Sequence, residues 1–390
     1  MCAKARAAPP ACKGVAVAAT DNTTIARVRW GVLRHLAALL GGVLAASGAR
    51  AVDLPEDSAE ALFHSYNGGG VSANGPALLV RKQLADKVSL SASYYVDAVS
   101  NASIDVVTTA SPYREQRTEW GLGAEYVYRD AKLSLTTTSS KEGDYTANSV
   151  GFDITQDTFG GMTSVSLGFT RGNDQIGKQG SPEFADEAAH WQYRLGVTQI
   201  LSPRWVMSAN AEALADDGFL GSPYRVARVF GAVVPERTPR TRSARAVKFR
   251  LIGDLGTRDA VHADYRYFWD TWNIKAHTAE VGYSRYFGEQ WLADTSLRFY
   301  RQDKALFYSD NATTETTYIS RNRQLSTFNS IGLGAKVAYK LGRVAGTSVF
   351  KLNAAYEYTR FQFSDFTDIR TGAPYAYNAN VLQVYLTATF

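Results

Sequence analysis

At 390 residues, with 45% hydrophobic and 20% charged residues, the chain is too apolar to be a disordered tail. Its formal charge of +5 is misleading, because residues 1–51 hold seven of the 42 Lys/Arg and one of the 37 Asp/Glu. The remainder carries 35 bases and 36 acids, a charge of −1, which gives no reason to suspect nucleic acid. Both cysteines, Cys2 and Cys12, also lie in the first 51 residues, so residues 52–390 have no disulfide, thiolate zinc site or iron–sulfur cluster.

Residues 27–51 have the grammar of a secretory signal. Arg27, Arg29 and Arg34 precede Leu36 to Ala49, an uncharged stretch of 14 residues, and Ala49-Arg50-Ala51 is a small-x-small cleavage pattern. That stretch is too short for a membrane-spanning helix. The mature protein is expected to begin near Val52, with residues 1–51 as signal peptide, the start codon over-extended, and 52–390 as one domain.

Beyond Val52 the chain repeats one unit, a strand of about ten residues and then a turn. Ala61–Tyr66 and Pro76–Leu84 form the first expected pair, with Gly68–Gly70 as the turn. Val88, Leu90, Ala92, Tyr94 and Val96 alternate with polar residues, as do Trp120, Leu122, Ala124, Tyr126 and Tyr128. The same period recurs at Trp191–Thr198 and Ile331–Lys340. The last twelve residues, ANVLQVYLTATF, put Leu382, Val384, Leu386, Ala388 and Phe390 on one face and Gln383, Tyr385, Thr387 and Thr389 on the other. One face suits lipid and the other a wet lumen. A closing strand with an aromatic end also resembles the signal read by the barrel assembly machinery.

Connections alternate in length. Short ones fall at 85–86, 130, 159–162, 202–204, 257–259, 288–290 and 341–346, and long polar ones at 99–117, 141–146, 172–187, 216–244, 303–322 and 363–378. This is the barrel pattern of periplasmic turns and extracellular loops. Trp205 and Trp291 stand just after short turns, whereas Trp120, Trp191, Trp269 and Trp272 stand near long loops, as interfacial girdles require. The fold class is therefore all-β: a transmembrane antiparallel up-and-down barrel in the outer membrane of a Gram-negative bacterium. Sixteen strands return both ends to the periplasmic side. Fourteen result if 60–84 is an internal or periplasmic segment.

The strings GPALLVRKQLADKVSLSASYYVDAVSNASIDVVTTASPYREQRTE (76–119), YRYFWDTWNIKAHTAEVGY (265–283) and QLSTFNSIGLG (324–334) resemble a family of proteobacterial outer-membrane proteins, domain of unknown function 3570. The resemblance runs from about Glu56 to Phe390 and implies the barrel and its location. It implies no activity. Loop 216–244 matches least closely.

Charge and alternation pick out the candidate site residues. His262, Asp264, Arg266 and Asp270 share the lumen face of one expected strand, as an acid–base cluster or as ordinary polar lining. His190 comes shortly after Asp186 and Glu187. His262-x-Asp264 with His277 offers a metal reading on spacing common by chance, and no metal or cofactor is assigned. There is no G-x-S-x-G elbow and no H-E-x-x-H. The loop string DVVTTASPY, Asp105 to Tyr113, is a candidate constriction. Between Arg225 and Arg250 stand Arg225, Arg228, Arg237, Arg240, Arg242, Arg245, Lys248 and Arg250 against one acid, Glu236. These are candidates for contact with lipopolysaccharide phosphates, for an anion-favouring pore mouth, or for a solvated loop. A pore for small polar solutes, a structural or export partner barrel without an open pore, and a surface hydrolase using His262 or His190 are the functional readings.

Overall fold

The computed structural model describes residues 54–101, 113–256, 258–343 and 348–390. The expected signal and residues 105–112 of the proposed constriction lie outside them. Among the described residues, sixteen strands close into one antiparallel barrel. In order, β1 (Ser58–Gly68), β2 (Val71–Ala85), β3 (Val88–Asn101), β4 (Tyr113–Tyr128), β5 (Ala131–Lys141) and β6 (Tyr145–Thr158) form the first part of the wall. Next come β7 (Thr163–Gly177), β8 (Ala185–Ser202) and β9 (Trp205–Gly218). Two short strands, β10 (Val226–Val229) and β11 (Ala232–Pro235), make a hairpin outside the barrel. The wall resumes with β12 (Thr241–Asp254), β13 (Asp259–Asp270), β14 (Lys275–Phe287) and β15 (Trp291–Gln302). It finishes with β16 (Phe328–Arg343), β17 (Val349–Thr367) and β18 (Pro374–Thr389).

Neighbours in the chain pair with one another, β9 pairs with β12 across the hairpin, and β18 returns to β1. The register at that seam runs unbroken from Ser58↔Thr389 to Gly68↔Ala379. The barrel thus has sixteen strands, and the 60–84 segment belongs to the wall. The β1–β2 connection is only two residues because Gly69 and Gly70 take positive φ, which side chains resist.

Alternation sorts the side chains. Leu382, Val384 and Leu386 of β18 are exposed outward, as are Leu333 and Ile331 of β16, while Lys336 approaches Asp294 and the Tyr385 ring on the inside. No helix among the described residues is long and apolar enough to cross a membrane, and this barrel would cross with its strands.

Two expectations need correction. The wall strands extend beyond the apolar band, so the connections shrink to 142–144, 178–184, 219–240 and 368–373. Polar residues continue the ladder because a backbone in water still gains from pairing its N–H and C=O groups. Trp272 is not a girdle residue. It lies in the β13–β14 turn, 5% exposed, and its indole donates to the Thr241 carbonyl at 3.0 Å. Within the wall, β17 breaks register between Gln362 and Thr367, and both Phe363 and Phe366 become buried there, as an irregular strand allows.

The facing can be tested on two residues of β16, three positions apart. Leu333→Arg places a charge on the lipid face at a cost of roughly 2–4 kcal/mol near mid-membrane, whereas Lys336→Glu changes only the lumen. The first variant should lose heat-modifiable folded protein and the second should retain it. Equal losses would contradict the facing.

Candidate functional site

The lumen face of β13 brings His262, Asp264, Arg266 and Asp270 together as alternation requires. Their partners come from neighbouring strands. Asp264 forms an ion pair with Lys248 Nζ at 2.7 Å and accepts from Arg250 Nε at 3.0 Å, both on β12. Arg266 reaches Glu212 of β9 at 3.2 Å. Asp270 holds Arg242 at 2.6 Å and caps the turn by accepting the Ile274 amide at 2.8 Å. His262 lies 3.5 Å from Glu280 and packs over Gly282, where a Cβ would come within 2.1 Å of the ring.

Donor atoms of His262, Asp264 and Glu280 fall within 4.8 Å of one another. Asp264, however, is already clamped by two cations, so the set is poorly suited to a metal ion. His277 is not part of it: its Nδ1 meets the Tyr265 hydroxyl at 2.7 Å on the opposite, outward face.

His190 does not use Asp186, which makes a two-pronged pair with Arg240 at 2.8 and 2.7 Å. Its ring nitrogens instead meet Asp216 of β9 at 2.5 Å and Asp174 of β7 at 2.9 Å, and Tyr145 donates to the same Asp174. A further cluster lies on β1 and β3. His64, 2% exposed, stacks on Tyr95 at 4.6 Å and bonds Asp97 at 2.7 Å. Both constellations depend on cross-strand register, which spacing along the chain does not display.

The upper lumen carries an aromatic wall formed by Phe328, Phe361, Phe363, Tyr375 and Tyr377. Loop 303–327 folds onto it. Arg323, 5% exposed, sits over Tyr375 at 5.7 Å and Tyr377 at 5.3 Å, and reaches the Gly69 carbonyl at 3.4 Å. Arg321 binds Asp310 at 2.6 Å and the Thr367 carbonyl at 2.7 Å with its guanidinium 4.3 Å from the Phe366 ring centre. From the barrel side, Gln302 donates to the carbonyls of Gln324 at 2.9 Å and Ser326 at 2.8 Å. Burial pushes the Tyr308 phenol well above its ordinary pKa, and its hydroxyl donates to the Asp365 carbonyl at 2.9 Å. Cation–π stacking and desolvated hydrogen bonds of this kind hold a loop in one place. The sequence contained the signal, in Arg321 and Arg323 beside an aromatic-rich β17–β18, but not the contact.

The arginine-rich segment is dispersed rather than gathered. The β10–β11 hairpin lies against loop 303–327, where Val229 bridges to Ala312 and Arg237 to Ile319. Arg237 pairs with Glu315 at 2.6 Å, Arg240 with Asp186, and Arg242 points into the lumen toward Asp270. Arg225 Nη1 is buried with no hydrogen-bond partner among the described residues, and the Arg228 carbonyl accepts the Ala312 amide at 2.8 Å. Arg245, paired in register with Ala213 and Trp269, faces outward.

No curated protein matches the chain in sequence. Among solved structures it is similar to a bacterial polysaccharide outer membrane secretin, at 9% identity and a TM-score of 0.49, covering 86% of this chain and 100% of that one. It is also similar to the siderophore receptor PirA from Pseudomonas aeruginosa, at 11% identity and a TM-score of 0.44, over 81% of this chain; it spans only 60% of that receptor. A Pseudomonas aeruginosa FadL homologue gives 12% identity and a TM-score of 0.40, over 86% and 90% of the two chains. Such values carry no argument about function. The family model described as "Protein of unknown function (DUF3570)" matches residues 102–364, two thirds of the sequence, and the chain belongs to that family.

Proposed function

We propose that the protein is an outer-membrane channel for small polar solutes, exported by the signal at 27–51 and inserted through its closing strand. One observation carries the reading: a closed sixteen-strand wall whose outward face is apolar and whose inward face is charged. Barrels of 16–18 strands leave an aqueous interior, and a charged lining has no use in a dry one. The charge is also unevenly placed. On β3–β7 the inward acids Asp97, Glu119, Glu125, Asp153 and Asp174 outnumber Arg117 and Lys132, whereas on β12–β16 the inward bases Arg242, Lys248, Arg250, Arg266, Arg298 and Lys336 alternate with Asp264, Asp270, Glu280 and Asp294. An acidic side facing one of mixed charge orients polar solutes as they pass.

A second reading, a structural or export partner without an open pore, draws support from loop 303–327 and its attachment to the upper wall. Single-channel recording in planar bilayers separates the two. The channel reading predicts discrete conductance steps that grow larger when residues 309–321 are replaced by a short Gly-Ser linker. Silence from both proteins would favour the structural reading.

Selectivity tests the lining itself. Arg242→Gln removes a lumen cation and leaves Asp270 uncompensated, so the reversal potential in a salt gradient should shift toward cations. Arg237→Gln and Arg240→Gln act on residues already paired above the lumen and should leave it unchanged. A shift from the second pair but not the first would place the selecting charge in the loop.

A further inference from the structure

The outward face of β9 reads Ala209, Ala211, Ala213 and Ala215, methyl groups where its neighbours carry large side chains. Tyr193 and Leu195 stand on one side, Arg245 and Val247 on the other. The difference in side-chain height leaves an apolar groove of about 560 Å³ on the lipid-facing surface, extending to Phe152 at one end and Trp269 at the other.

The groove slopes. Its upper line of paired residues runs Phe152, Phe169, Tyr193, Ala213, Arg245 and Trp269. Phe152 is six residues from Thr158 at the short-turn end of β6, whereas Arg245 is nine from Asp254 and Trp269 ten from Asp259. The Arg245–Trp269 end is therefore nearest the long loops, and the Phe152 end lies deeper in the apolar band. Arg245 has no carboxylate within 4.0 Å among the described residues, unlike Arg237, Arg240, Arg242, Arg250 and Arg266. Arg171 is a second outward arginine, stacked on Trp191 at 4.6 Å with, among the described residues, only the Asn173 amide oxygen, 3.3 Å away, as acceptor. Three strand spacings separate β7 from β12, on the order of 14 Å, so the two guanidiniums bracket the upper end of the groove rather than share one anion.

An unpaired arginine on a lipid-facing strand is costly unless it reaches the interface and finds a counter-ion there. Guanidinium forks match phosphate oxygens. We propose that this groove binds one outer-leaflet glycolipid of the lipid A type, with an acyl chain along the alanines and its phosphates at Arg245 and Arg171. The site lies on the outside of the wall and does not depend on whether the lumen conducts.

Native mass spectrometry of the full folded barrel, titrated with bis-phosphorylated hexa-acyl lipid A, tests this. One lipid should be retained. Arg245→Gln should weaken binding about tenfold, the loss expected for a charge-assisted contact. Ala213→Trp should fill the groove and prevent binding, with heat modifiability confirming that each variant remains folded. Dephosphorylated lipid A should bind as weakly to the wild type as the intact lipid does to Arg245→Gln. Undiminished binding by both variants, or equal affinity for phosphatidylglycerol, would overturn the proposal. So would a dimer that Ala213→Trp converts to monomer, since the groove would then be a contact between copies of the chain.

Discussion

Everything else in this structure depends on the pairing of β1 with β18. A sheet of sixteen strands that failed to close would leave two edges of unpaired N–H and C=O groups. In hydrocarbon each such group costs several kcal/mol, because no water is there to satisfy it. Closure removes both edges at once. It is specified over the whole of β1, whose eleven residues all find partners on β18. A one-residue slip would turn Leu382, Val384 and Leu386 inward and Gln383 into lipid, so the hydrophobic pattern enforces the register that the hydrogen bonds require.

Once the wall is closed, the inward residues have little choice of partner. Charges on adjacent strands meet across the ladder, as Asp264 meets Lys248 and Arg250, and Asp174 and Asp216 meet His190. Loop 303–327 uses the same economy of position. It inserts Arg321 and Arg323 among aromatic rings of the upper wall, and satisfies its carbonyls through Gln302. The result is a barrel with an apolar outside, a charged inside, and a fixed aromatic segment at the end opposite its termini.

Much of the fold is legible in the sequence because period-two alternation and turn length are local properties. The strand count, the facing of Leu333 and Lys336, and the shared face of His262, Asp264, Arg266 and Asp270 all come from them. Alternation cannot show which residue lies opposite. Proximity along the chain therefore offers His190 its neighbour Asp186, whereas the ladder gives it Asp174 and Asp216. It also offers His277 to His262, although an odd number of residues separates them in the hairpin register. Trp272 resembles a girdle residue because a buried turn and an interfacial strand end look alike in one dimension. The arginine-rich segment reads as one site because its residues are contiguous. In space they point into the loop layer, the lumen and the lipid.

The seam itself can be measured. Residues 52–390 contain no cysteine, so a pair can be introduced without background. Ala61 pairs with Leu386, whereas Leu382 lies four residues along β18, roughly 13 Å away and beyond disulfide reach. On oxidation, Ala61→Cys with Leu386→Cys should form a bond that converts the chain into a covalent ring, visible as altered mobility of the heat-unfolded protein and reversed by reductant. Ala61→Cys with Leu382→Cys should not. Cross-linking of the second pair in preference to the first, or of neither in folded protein, would contradict the closed, in-register barrel.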